Sequence, residues 1–142
     1  MAADFGPAAI DHVGLAVADL EAAATFYERF LGAAPAHREE VPSDGVTTVF
    51  FDLGPSSLEL LGSTRSDSSI ARFLERRGEG LHHLAYLVSD IEGELARWRE
   101  RGAELIDQQA RPGARDRLVA FIHPKSAGGV LTELCQLMDE RG

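Results

Sequence analysis

Two histidines and two glutamates stand out because their types and spacing could hold a divalent cation. His12 precedes Glu59 by forty-seven residues, and His83 precedes Glu133 by fifty. Each histidine sits in a stretch with strand character. Each glutamate lies inside an apolar run, Leu58-Glu59-Leu60 and Thr132-Glu133-Leu134-Cys135. A carboxylate buried in such a run is costly unless it is paired or bound to a metal. Two neutral imidazoles and two carboxylates make a nitrogen and oxygen donor set suited to a divalent transition metal, with the carboxylates balancing the ion's charge. Singly, none of the four carries weight: a lone strand histidine is more often packed or exposed, and a lone strand glutamate is more often solvated. Their recurrence at matching places changes that balance.

The recurrence is an internal repeat. Ile10-Asp11-His12-Val13-Gly14-Leu15-Ala16-Val17-Ala18-Asp19-Leu20-Glu21 returns seventy-one positions later as Leu81-His82-His83-Leu84-Ala85-Tyr86-Leu87-Val88-Ser89-Asp90-Ile91-Glu92. His12 meets His83, Val17 meets Val88, Asp19 meets Asp90 and Glu21 meets Glu92. A repeat settles the architecture before single elements are read, and this one predicts two similar halves. It also selects His83 over His82, which aligns with Asp11 and is expected to be a packing or supporting residue. His123, before Pro124, is expected to be structural or exposed at a strand end, and His37 carries no signal.

The elements that must position these groups follow from periodicity. Residues 9–17 form a strand whose alternation puts Ile10, His12, Gly14 and Ala16 on one face and Val13, Leu15 and Val17 on the other. Asp19 is an N-cap for a helix carrying Leu20, Ala24, Tyr27 and Leu31, widened by Phe26 and Phe30 and stopped at Gly32. That helix is expected to cover the Val13, Leu15, Val17 face. Strands follow at 35–42, 46–53 and 58–61, with turns at Ser43-Asp44-Gly45 and Gly54-Pro55. Asp67, Ser68 or Ser69 could cap a short helix with Ile70, Phe73 and Leu74 inward. The second half reads as a strand at 81–88, a helix capped by Asp90, strands at 103–108, 118–123 and 130–136, an arginine-rich loop at 110–116 and a tail from Leu137. The class is α+β, in two tandem βαβββ modules. The whole chain, 1–142, is expected to be one domain: a first module over about 9–62, a linker with its helix over 63–78, and a second module over about 79–137.

Composition excludes several classes. A net charge of −9 argues against general nucleic-acid binding, which depends on neutralising phosphates. No apolar run approaches the roughly 20 residues of a membrane span. Cys135 is the single cysteine, so no internal disulfide is available. The first nine residues lack the basic or arginine-rich pattern of a targeting peptide. The expectation is a soluble cytoplasmic protein with neither membrane nor nucleic-acid partner. Lys125 is the only lysine against thirteen arginines, a bias for which composition alone favours a genomic cause over an anion site.

The two β-α-β-β-β halves with matched His and Glu resemble the vicinal oxygen chelate (glyoxalase–bleomycin resistance) superfamily. Within it they resemble the methylmalonyl-CoA epimerases. The most specific segments are Ile10-Asp11-His12-Val13-Gly14, the stretch Ser69-Ile70-Ala71-Arg72-Phe73-Leu74 through Gly80-Leu81-His82-His83-Leu84-Ala85-Tyr86, and His123-Pro124-Lys125-Ser126-Ala127-Gly128-Gly129-Val130-Leu131-Thr132-Glu133-Leu134. The resemblance covers about 9–137. It implies a cupped mixed sheet around one divalent metal per chain, held by His12, Glu59, His83 and Glu133. Cobalt is the leading ion, with zinc, nickel and manganese as the others. It also implies a homodimer, an acyl-CoA substrate, and interconversion of (R)- and (S)-2-methylmalonyl-CoA by 1,1-proton transfer through a metal-stabilised enolate.

Epimerisation needs a base on each face of the α-carbon. Some members of the family carry a glutamate where this chain has Thr48, which is no strong base. Glu133 and its repeat partner Glu59 are therefore the candidate pair, with Thr48 left to hold a water or a substrate oxygen. The coenzyme A phosphates call for local positive charge. Lys125 with Ser126 and the glycine-rich turn to Gly129 is the first candidate, ahead of Arg111, Arg115 and Arg117.

Three other functions share the scaffold. A glyoxalase I-like isomerase acting on a hemithioacetal would use the same four ligands. A ring-cleaving dioxygenase needs an open two-His, one-carboxylate iron site, and a fourth ligand at Glu59 counts against it. A metal-free sequestering protein would be expected to have lost the ligands.

Overall fold

The computed structural model describes residues 9–138. These form eight strands and three α-helices in the order β1, α1, β2, β3, β4, α2, β5, α3, β6, β7, β8, so the β-α-β-β-β plan occurs twice. The chain is α+β, with both parallel and antiparallel pairing. It divides into two compact units, one from His12 to His82 and the other made of the segment through Asp11 together with that from His83 onward. Each is described by itself.

In the His12–His82 unit the strand order is β2-β3-β4-β1. β1 (Ala9–Ala16) runs parallel to β4 (Ser56–Ser63), with Gly14 beside Glu59. β2 (His37–Val41) and β3 (Val46–Leu53) complete an antiparallel meander in which Phe50 faces Glu59. β4 is two residues longer at each end than the sequence predicts. α1 (Leu20–Leu31) begins where the Asp19 side chain accepts from the Ala22 N–H, and ends at Gly32, whose φ of 73° is left-handed. Its Leu20, Ala23, Ala24 and Tyr27 pack on Leu15, Val17, Val49, Phe51, Leu58 and Leu60.

The expected apolar stripe of α1 is too wide. Phe26 and Phe30 are 52% and 65% exposed and lean on each other with ring centroids 4.7 Å apart. The cause is angular: at 3.6 residues per turn Phe26 lies roughly 200° round the helix from Ala24. Leu31, at the helix end, also faces outward. α2 (Ser69–Arg77) is capped by Ser68, whose Oγ accepts from the Ala71 N–H at 2.9 Å. It sets Ile70, Phe73 and Leu74 against Ala16, Val41, Val46 and Leu61.

In the other unit the order is β5-β8-β7-β6. β5 (Gly80–Leu87) runs parallel to β8 (Thr132–Leu137), placing Ala85 beside Glu133. β7 (Arg117–Ile122) is antiparallel to β8, with Phe121 opposite Glu133. α3 (Ile91–Glu100), capped by Asp90, packs Ile91, Leu95 and Trp98 on Val88, Leu105, Ala120, Ile122 and Leu134.

The predicted strand at 103–108 does not form. Only an isolated bridge joins Leu105 to Ile122. The N–H groups of Ile106 and Asp107 both donate to the Phe121 carbonyl, and the Asp107 carboxylate accepts from the Phe121 N–H at 2.8 Å. A side chain thus takes the place of the backbone acceptor that a ladder needs. The pairing moves to β6 (Arg111–Pro112), inside the segment predicted to be a loop. Of the predicted tail, residues 139–142 lie outside the described residues. No helix among the described residues is long and apolar enough to cross a membrane.

Leu60 is fully buried. Leu60→Ala is expected to lower the unfolding free energy by about 3 kcal/mol, against about 1 kcal/mol for removing the α1 cap in Asp19→Ala. Urea denaturation measures both, and a smaller cost for Leu60 than for the cap contradicts this account of the core.

Candidate functional site

Each unit carries the same buried construction. In the His12–His82 unit, His12 Nε2 lies 3.2 Å from Glu59 Oε1. In the other, His83 Nε2 lies 3.1 Å from Glu133 Oε1. All four residues are at most 6% exposed. Each imidazole meets a phenylalanine edge to face: His12 and Phe50 at 5.7 Å and 87°, His83 and Phe121 at 5.7 Å and 86°. The strands explain the match. The histidine and a small residue, Gly14 or Ala85, share one face of the first strand by alternation. The glutamate comes from the parallel neighbour beside that small residue, and the phenylalanine from the antiparallel strand beyond.

The donor chemistry fits a divalent transition metal. Each pair offers one imidazole nitrogen and one carboxylate oxygen where water is nearly absent. A carboxylate there needs a cation or strong donors to offset its lost hydration. Thr48, expected to hold a water or a substrate oxygen, instead donates its hydroxyl to Glu59 Oε2 at 2.6 Å and is 1% exposed.

The expected coenzyme A contacts are otherwise engaged. Lys125 Nζ sits 2.8 Å from Glu104 Oε1 in an exposed ion pair. Their hydrogen bond holds the Glu104 carboxyl below its usual range and the Lys125 ammonium above its own. Ser126 Oγ accepts from the Glu104 N–H at 2.8 Å. The turn spends the N–H groups of Ser126, Ala127, Gly129 and Val130 on its own carbonyls, so the glycine-rich loop is largely self-satisfied. His123 Nδ1 accepts from the Lys125 N–H, the structural role expected of it. His82 packs on Phe73 at 5.0 Å, and His37 pairs with Glu39 at 2.9 Å.

Residues 11–121 match the family model described as Glyoxalase/Bleomycin resistance protein/Dioxygenase superfamily. The chain belongs to that superfamily. Among its relatives is the ethylmalonyl-CoA/methylmalonyl-CoA epimerase of Cereibacter sphaeroides, 40% identical over 90% of this chain and 97% of that protein. Human mitochondrial methylmalonyl-CoA epimerase is 38% identical over 89% and 73%. The crystal structure of methylmalonyl-CoA epimerase from Mycobacterium tuberculosis superposes with a TM-score of 0.90 at 36% identity, covering 94% of this chain and 90% of that one.

This superfamily member also buries polar groups that the repeat did not expose. Asp11, 9% exposed, accepts from Arg117 Nη2 at 3.2 Å. Arg117, weighed above as an anion contact, thereby serves the interior. It also donates to the Arg115 carbonyl, while Arg115 itself takes a φ of 59°. Arg111 pairs with Asp107 and lies 5.9 Å over Phe121. Cys135 is fully buried. Burial, chiefly, then the neighbouring Glu133 and Asp11 charges and a hydrogen bond to Asp11, push its thiol far up, with Arg117 opposing. The only hint of this group in the sequence is an acid in an apolar strand; its partner stands 106 residues away. Ellman's reagent is expected to leave Cys135 untouched in the native protein and to titrate it fully in denaturant. Rapid labelling of the native state counts against its burial.

Proposed function

We propose that the protein is a metal-dependent epimerase interconverting (R)- and (S)-2-methylmalonyl-CoA by 1,1-proton transfer. The observation that carries this is the presence of both buried His–Glu pairs in a chain 40% identical, along 90% of its length, to an alkylmalonyl-CoA epimerase. We place one divalent ion on His12, Glu59, His83 and Glu133, with cobalt first and zinc, nickel or manganese as the alternatives. The two modules then act as one domain. When bound, the ion supplies Lewis-acid stabilisation of charge developing on the thioester oxygen as the α-proton leaves. Glu133, ionised, takes the proton from one epimer while Glu59, entering protonated, gives one to the opposite face; the reverse direction uses the exchanged states, and proton exchange with water resets the pair. A proton moved at carbon leaves no net redox change and needs no co-reactant.

Lys125 and Ser126 remain the proposed contacts for the coenzyme A phosphates. An exposed ion pair such as Lys125–Glu104 is weak, so an incoming phosphate can displace Glu104. We propose a homodimer in the cytoplasm; a single cysteine with no disulfide partner in the chain suits a reducing compartment.

Metal-loaded protein in D2O is expected to place deuterium on the α-carbon of methylmalonyl-CoA, and chelation of the metal is expected to stop it. Turnover of a hemithioacetal without exchange into methylmalonyl-CoA overturns the proposal in favour of a glyoxalase I-like activity. Glu133→Gln is expected to lower kcat by about 10²–10⁴ while the protein stays folded, and Glu59→Gln to impair turnover as well. Wild-type rates in Glu133→Gln remove Glu133 from the base role.

A further inference from the structure

The two halves repeat the His–Glu–Phe construction but differ in the residue two places before the phenylalanine. On β3, Thr48 lies two residues before Phe50 and opposite Leu61. On β7, Val119 lies two residues before Phe121 and opposite Cys135. The two places are equivalent in register: each side chain is on the same face as the phenylalanine and diagonal to the glutamate across the ladder. Thr48 spends its hydroxyl on Glu59 Oε2 at 2.6 Å, at 1% exposure. Valine has no donor, so Val119 can do nothing comparable for Glu133.

We infer that Thr48 is a positioning residue for Glu59. Its hydroxyl holds one carboxylate oxygen so that the other, Oε1, stays turned toward His12 Nε2. Three facts support the assignment. A hydroxyl donating to a carboxylate at 2.6 Å is a short, charge-assisted bond. Threonine is stiff about χ1 on a strand, so the donor is itself held in place. Both ends are buried, so water does not compete. The inference rests on the proposed metal site and adds a residue to it: Glu59 is tethered through Thr48 of its own unit. Partners that orient a metal-binding side chain are worth about 10–100-fold in metal affinity.

The test measures divalent-metal affinity without substrate, by competing Co2+ between the protein and a chromophoric chelator, alongside circular dichroism and Tm. Thr48→Val keeps size and strand preference and removes only the hydroxyl. It is expected to weaken Co2+ binding by about tenfold or more with its spectrum unchanged. Thr48→Ser restores the donor and is expected to bind within about threefold of wild type. Should Thr48→Val not fold, Thr48→Ala is read in the same way. Wild-type affinity in the hydroxyl-free variant overturns the inference, as does equal weakening in Thr48→Ser, which keeps the hydroxyl and would show that affinity does not follow the donor. A wild-type protein that binds no Co2+ overturns it too. Substrate turnover separates this result from the epimerase proposal: tight, Thr48-dependent metal binding without methylmalonyl-CoA exchange sinks the proposed activity and leaves the positioning role standing.

Discussion

A carboxylate inside an apolar sheet is the constraint around which each unit is arranged. Glu59 lies between Leu58 and Leu60, and Glu133 lies between Thr132 and Leu134, with Cys135 next along the strand. Stripping water from an ionised carboxyl is expensive, so everything within reach is chosen to receive it. A small residue on the parallel strand leaves space beside it, a histidine one alternation away reaches its oxygen, and a phenylalanine packs edge to face against the imidazole. The helices α1 and α3 matter chiefly because they fill the reverse face with leucine, isoleucine and aromatic side chains, which keeps the strands fixed.

Duplication produces the construction twice, and the departures between copies carry information. Leu61 and Cys135 are equivalents, as are Thr48 and Val119. In one copy the donor serves the glutamate. In the other, a thiol stands next to a buried aspartate and its part-buried arginine partner. The copies share a backbone plan and differ in how charge is distributed over it.

The repeat made much of this legible in the sequence. The strand-borne His12 and His83, the caps at Asp19 and Asp90, and Glu59 and Glu133 all emerge from local spacing that recurs. What stayed hidden depends on partners distant in sequence. No local pattern says that Asp107 gives its side chain to the Phe121 N–H, so the stretch at 103–108 looks like a strand and is not. The Asp11–Arg117 pair and the Glu104 grip on Lys125 and Ser126 are likewise tertiary facts. The exposure of Phe26 and Phe30 was available in principle from helical angle, but their hydrophobicity outweighed it.

The irregular 103–108 stretch has a consequence at the border of its sheet. The outermost strand there, β6, is two residues long and includes Pro112, which has no N–H to offer. At the far end of the other unit's strand order, β2 carries Arg38, Glu39 and Glu40. Long, flat, uncharged borders recruit strands from other molecules, whereas short or charged ones resist it. These units are thus finished at their margins against runaway self-association, and a carboxylate that interrupts a ladder is part of that finish.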